Sequence, residues 1–128
     1  MNRSVLLKGF SLIELMVTLA ILAVVTSIAI PAYTGYITAA KMSEANNNLA
    51  AIRLAQEEYF LENNNYFSGN NATAIASASG NLWTVTKGSD GYNFDYVVIL
   101  SGGGWAATAT GIVGTSLEGV PPVTTSKQ

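Results

Sequence analysis

The chain has 128 residues and a formal net charge of −2, and charged side chains make up only 11% of it, too few and too balanced for a nucleic-acid surface. It contains neither cysteine nor histidine, which excludes disulfides, zinc sites built on those residues, thiol catalysis and serine–histidine triads. Hydrophobic residues reach 49% and the mean hydropathy is +0.32, apolar for a free soluble domain, with the excess concentrated before Pro31.

Met1 to Gly9, MNRSVLLKG, carries Arg3 and Lys8 and reads as a short basic leader. Phe10 to Ile30 then forms an apolar run of about 21 residues, or about 31 Å of helix, against a hydrocarbon core of about 30 Å. That length is too great for the core of an ordinary secretory signal, and no A-x-A cleavage pattern follows it. The natural boundary lies instead between Gly9 and Phe10. Arg3 and Lys8 predict that this end stays in the cytoplasm.

The only charged residue in the apolar run is Glu14. A plain signal anchor has no need of it, because a carboxylate at membrane depth costs about 3 kcal/mol or more unless it is neutralised. A cut after Gly9 would supply the neutralising group, a free α-amine on Phe10 one helical turn away, largely protonated at neutral pH. The amine can come from the same chain or from a neighbouring copy packed with an axial offset. Because a buried charge without its partner is strongly unfavourable, such a pair would gauge register in an assembly.

With KGFSLIELMVTLAILAVVTSIAIPAYTGYI on the page, the segment from Arg3 to Ile37 resembles the amino terminus of type IV pilins and pseudopilins. The basic leader ending in glycine, the phenylalanine after the cut, the glutamate four residues on and the long apolar helix ending in IPAYTGYI carry the resemblance. It implies cleavage between Gly9 and Phe10 by a membrane prepilin peptidase, N-methylation of Phe10 by the same enzyme, and polymerisation with the apolar helices as filament core. It also implies an inner-membrane assembly platform as a partner. The family often has a glycine in mid-helix where this chain has Ala23. Flexibility there falls to Pro31, which lacks an N–H and leaves the Ser27 carbonyl without its helical donor. A static kink at the membrane exit and local melting within a filament both fit Pro31.

Beyond Lys41 the apolar residues Met42, Ala45, Leu49, Ile52 and Tyr59 recur at helical steps, with Gln56 in the gap. They predict an amphipathic helix at 39–62, continuous with the membrane half at 10–38, and an Arg53–Glu57 pair on its outer side. NNNYFSGNN ends the helix, and 63–81 reads as a loop with a short helix at Ala72–Ala78. Asn71-Ala72-Thr73 fits a glycosylation acceptor but reads as plain loop. Three strands are expected at 82–113: Leu82–Thr86, Tyr92–Leu100 and Trp105–Val113, joined by KGSDG and SGGG turns. The tail at 114–128 is left as an edge segment or loose.

The fold class is therefore α+β, with a long amino-terminal helix on a small antiparallel meander, in which 1–9 is a removable leader, 10–38 a membrane and filament-core helix and 39–128 a globular domain. Asp90 and Asp95 are too few for a calcium loop. The aromatic series Tyr33, Tyr36, Tyr59, Phe60, Tyr66 and Phe67 reads as packing and an interfacial belt. No catalytic residue, cofactor or metal site is expected. The expected function is a structural subunit of a type IV pilus-like filament, a homopolymer whose precursor sits in the membrane and whose product is an extracellular pilus or periplasmic pseudopilus. A pseudopilin of type II secretion or a minor pilin is the alternative within the family, and a signal-anchored binding domain the alternative outside it. Nucleic acid is not expected as a direct partner. Adhesion, twitching motility, DNA uptake and secretion belong to the whole machine rather than to one subunit.

Overall fold

The computed structural model describes residues 9–85, 93–115 and 117–127. Its elements are α1 (Leu12–Asn63), α2 (Ala72–Ala78), β1 (Phe94–Ser101), β2 (Gly104–Gly111) and β3 (Val123–Lys127). The chain divides into two compact units, Met1–Tyr36 and Ile37–Gln128. Leader residues 1–8, Thr86, the KGSDG turn with Asp90, and Tyr92 lie outside the described residues.

Within the second unit, α1 runs unbroken because no proline or glycine interrupts residues 37–62. It stops where Asn64 takes a left-handed conformation, φ 55°, and returns its N–H to the Phe60 carbonyl at 2.8 Å. Asparagine here fills the role that glycine usually takes after a helix. The middle of the expected stripe, Ala45, Leu49 and Ile52, is buried and, with Ala55, joins Tyr96, Val98, Trp105, Ala107 and Leu117 in a single core, while Met42 and Tyr59 at its ends are partly buried. Gln56, at the gap in the stripe, is fully buried and satisfied. Its amide donates to the Phe67 carbonyl at 2.8 Å and accepts from the Phe67 N–H at 3.1 Å.

The three strands form an antiparallel sheet in the order β1-β2-β3. Gly102 and Gly103, at φ 61° and 86°, make the two-residue turn between β1 and β2, where positive φ at both positions suits glycine. One expected strand is corrected. Leu82–Val85 has no regular structure, and the third strand is Val123–Lys127, from the segment expected to be edge or loose. The reason is pairing: the outer edge of β1 is met by Gly69, which bridges Val98, and the outer edge of β2 is taken by β3. Leu82–Val85 is held instead by Leu82 and Trp83 N–H groups that donate to the Ser79 carbonyl and hydroxyl at 3.3 and 3.4 Å, and by Trp83, which is buried and stacks edge-on against Tyr96 at 5.6 Å.

Polar ties hold α1 to this unit besides Gln56. Asn48 donates to the Tyr96 hydroxyl at 2.9 Å, and Asn93 donates to Glu44 at 3.0 Å. Glu57 is bound at both oxygens by Lys127 of β3, at 2.8 and 2.7 Å, and this replaces the expected pairing with Arg53. Sequence spacing could suggest only the local partner; the one used lies across the fold. The short helix α2 is capped by Asn71, whose Oδ1 accepts from the Ala74 N–H at 2.8 Å while its amide donates to Asn70 at 3.0 Å.

Two outcomes follow from this packing. A Cβ on Gly69 would lie 2.6 Å from the Ile75 backbone nitrogen, where the loop is pinned by paired hydrogen bonds to Val98 of 3.0 and 2.7 Å. Gly69→Ala should therefore destabilise the protein by about 1–3 kcal/mol, read as a lowered urea midpoint of the detergent-solubilised chain. Burial pushes the Tyr96 phenol up to about 12; the Asn48 hydrogen bond opposes the shift and the Glu44 carboxylate adds to it. The folded state thus favours the neutral phenol. Its contribution is complete below about pH 10 and is lost as the pH rises towards about 12, so unfolding free energy should fall across that window and do so less in Tyr96→Phe.

Candidate assembly segment

Phe10 stands just before α1 and is 81% exposed, and Glu14 lies in the first turn of the helix. The helix is closed at its start by Ser11, whose carbonyl accepts the Leu15 N–H at 3.1 Å. A carboxylate in a first turn faces the positive end of the helix dipole, so Glu14 gains a favourable local field that the sequence pattern alone did not suggest. Among the described residues no hydrogen bond or ion pair engages its side chain.

Residues 9–36 are exposed throughout. The segment's window of highest mean hydropathy, 2.4, is 0% buried, and the helix is long and apolar enough to cross a membrane. A continuous apolar surface of this extent does not remain in water and marks contact with lipid or protein. Three hydroxyls inside it are satisfied within the helix. Thr18 donates to the Leu15 carbonyl at 2.8 Å, Thr26 to Leu22 and Ala23 at 2.8 and 3.1 Å, and Ser27 to Val24 at 2.7 Å. Such back-bonding hydroxyls enter an apolar phase without an unmet donor. Glu14 is the one charged group in this apolar run, and among the described residues nothing in the chain engages it.

Pro31 lies inside α1, and Thr34 donates to its carbonyl at 3.0 Å. The aromatic series is dispersed. Tyr33 and Tyr36 are exposed, Phe60 and Tyr66 stack at 4.7 Å, and Tyr59 meets Phe67 edge-on at 5.5 Å. Asp95 is exposed on β1, across from Thr110, and among the described residues no group of three or more His, Cys, Asp or Glu comes together.

Residues 8–30 match the family model described as the prokaryotic N-terminal methylation motif, and residues 31–117 match the model described as type IV minor pilin ComP, DNA uptake sequence receptor. The chain is 39% identical over 76 residues to the type IV major pilin protein PilA of Myxococcus xanthus, covering 59% of this chain and 34% of the relative. It is 40% identical over 70 residues to the fimbrial protein EcpC of Eikenella corrodens, covering 55% and 46%. Against the type IV major pilin protein PilE of Neisseria gonorrhoeae the figures are 38% over 72 residues, covering 56% and 43%. The matched region thus spans less than half of the length of each of these relatives. No solved structure matches the chain.

The geometry predicts the effect of one substitution in the segment. Pro31→Ala restores an N–H for the Ser27 carbonyl, so amide exchange around residues 28–34 should slow in detergent micelles. Unchanged exchange would mean that Pro31 does not weaken the helix.

Proposed function

The chain belongs to the type IV pilin family, and on that premise we propose that it is a structural subunit of a pilus, polymerising through the apolar half of α1. The observation that carries the reading is the exposed apolar helix with Glu14 as its only charge, lying within the methylation-motif match. The precursor is held in the membrane by this helix. Prepilin peptidase cuts between Gly9 and Phe10, and methylation leaves the Phe10 amine basic. Removing Arg3 and Lys8 lowers the basic residues from 6 to 4 against 8 acidic ones, a side-chain balance of −4.

In the filament the medium around Glu14 is apolar side chains, where attraction between contacting opposite charges rises as the effective dielectric falls. An incoming subunit whose Phe10 amine reaches the Glu14 of a neighbour neutralises that carboxylate; one docked out of register leaves it bare. The inner-membrane platform would supply the subunits and the work of extraction from lipid.

A minor pilin is the second reading, and the match over residues 31–117 favours it above a secretion pseudopilin. That model's description also names a DNA receptor, which differs from the expectation that nucleic acid is no direct partner. Duplex binding depends on Lys and Arg neutralising phosphates. Here the balance is acidic and Lys127 is already held by Glu57, so the electrostatics support the filament role above DNA binding.

Glu14→Gln keeps the shape and removes the charge, while Glu14→Leu also removes the polar cost of insertion. Both should insert and be cleaved, with intact mass lacking Met1 to Gly9, yet sheared filaments should fall sharply. Normal filament yield from correctly processed Glu14→Leu would overturn the register role, and a full-length mass in filaments would overturn the cleavage site.

A further inference from the structure

The core of the second unit is left open at one end. By strand alternation Leu100 shares a face with Phe94, Tyr96 and Val98, yet they are buried and Leu100 is 51% exposed. It borders a cleft of about 470 Å³ between the end of α1, the loop that follows and the β1–β2 turn. Phe60, Asn64, Asn65, Tyr66, Leu100 and the Gly102–Gly103 turn line it. We propose that this cleft is a binding site for a neutral saccharide.

Each part of the cleft suits that class. Its floor is aliphatic and aromatic: Leu100 beside the Phe60 and Tyr66 rings, which stack at 4.7 Å with 22° between planes. The C–H face of a pyranose packs on such a surface and hides no hydroxyl in doing so. Along the rim, Asn64 and Asn65 are exposed, and among the described residues no hydrogen bond engages either side chain. Each amide offers one acceptor and two donors, the complement of a sugar hydroxyl, which both gives and receives. At the turn, a Cβ on Gly102 or Gly103 would meet nothing within 4 Å, so the space beside the turn is open.

Charge narrows the choice. Among the described residues no charged side chain lines the cleft, so none of them offers a phosphate or carboxylate a cation there. A stacked single-stranded nucleic acid needs cations along its backbone, and the one beside this aromatic pair, Lys127 at 5.8 Å from the Tyr66 ring, is engaged by Glu57. An apolar peptide would strip water from the amides without replacing it. One such shallow site binds weakly, but a filament repeats it at every subunit, and avidity grows with the number engaged.

The test uses the full chain in detergent, with chitotriose, maltotriose and N-acetyllactosamine as probes in saturation-transfer difference NMR. At least one should receive saturation at its ring C–H protons. Asn64→Gly removes an amide while glycine keeps the left-handed backbone, and Asn65→Ala removes the other. Each should weaken binding about fivefold, the factor expected of one lost hydrogen bond, at an unchanged unfolding midpoint. The proposal is overturned if none of the three probes receives saturation, or if both variants bind as the parent does. It is equally overturned if oligodeoxythymidine binds in a way that these variants abolish while the saccharides do not. Because the measurement is made on unassembled chains, its failure leaves the filament reading untouched.

Discussion

The apolar surface of residues 10–30 has to leave water, and it carries a single carboxylate with it. Lipid accommodates the hydrocarbon and the inward-turned hydroxyls of Thr18, Thr26 and Ser27, but it does not neutralise Glu14. A uniformly apolar helix would be equally content at many axial positions, because dispersion and exclusion of water are indifferent to small slides. In the assembly proposed above, one charge would break that degeneracy. The segment would then join a strong, non-directional attraction to a weaker, positional one.

The second unit meets the opposite problem, since a small sheet has one face that must be covered. The later turns of α1 cover it with small and medium side chains, Ala45, Leu49, Ile52 and Ala55, against Ala107 and Ala109. Smooth alanine surfaces pack closely but do little to fix position along the helix. The amide of Gln56, the Asn48–Tyr96 and Glu44–Asn93 bonds and the Glu57–Lys127 pair do fix it, because each is satisfied at only one setting. On the proposed assembly both halves of α1 would follow one rule: apolar area supplies the attraction and a few polar groups choose the alignment.

How much of this was legible in the sequence depended on how local each signal is. The long helix, the short helix at Ala72–Ala78, the middle of the stripe and the SGGG turn follow from periodicity and neighbouring residues, and the structure has α1 at Leu12–Asn63, α2 at Ala72–Ala78, Ala45, Leu49 and Ile52 buried and a turn at Gly102–Gly103. The strands at Leu82–Thr86 and the Arg53–Glu57 pair failed because both are decided by distant parts of the chain. β-branched residues and a tryptophan suit a strand, but a strand also needs a pairing partner, and here Gly69 bridges β1 while β3 pairs with β2. The run Val123-Thr124-Thr125 is also β-branched, and the tail's reading as an edge segment or loose resolves to the edge strand β3. The motif around Gly9, Phe10 and Glu14 was readable because its parts are contiguous. The open cleft was not, since Phe60, Asn65 and Leu100 meet only after folding.

The position of β3 also has a bearing on biosynthesis. Its partner β2 and the helix residue Glu57 are both made earlier, and the Glu57–Lys127 bond closes a separation of 70 residues. Closing so long a loop must follow the emergence of Val123–Lys127 from the ribosome, while α1, being local, can form as soon as it is made. Until then the sheet has two strands, and an isolated two-stranded hairpin is marginal. A sheet whose third strand joins only after so distant a closure stays pliable until that pairing is made.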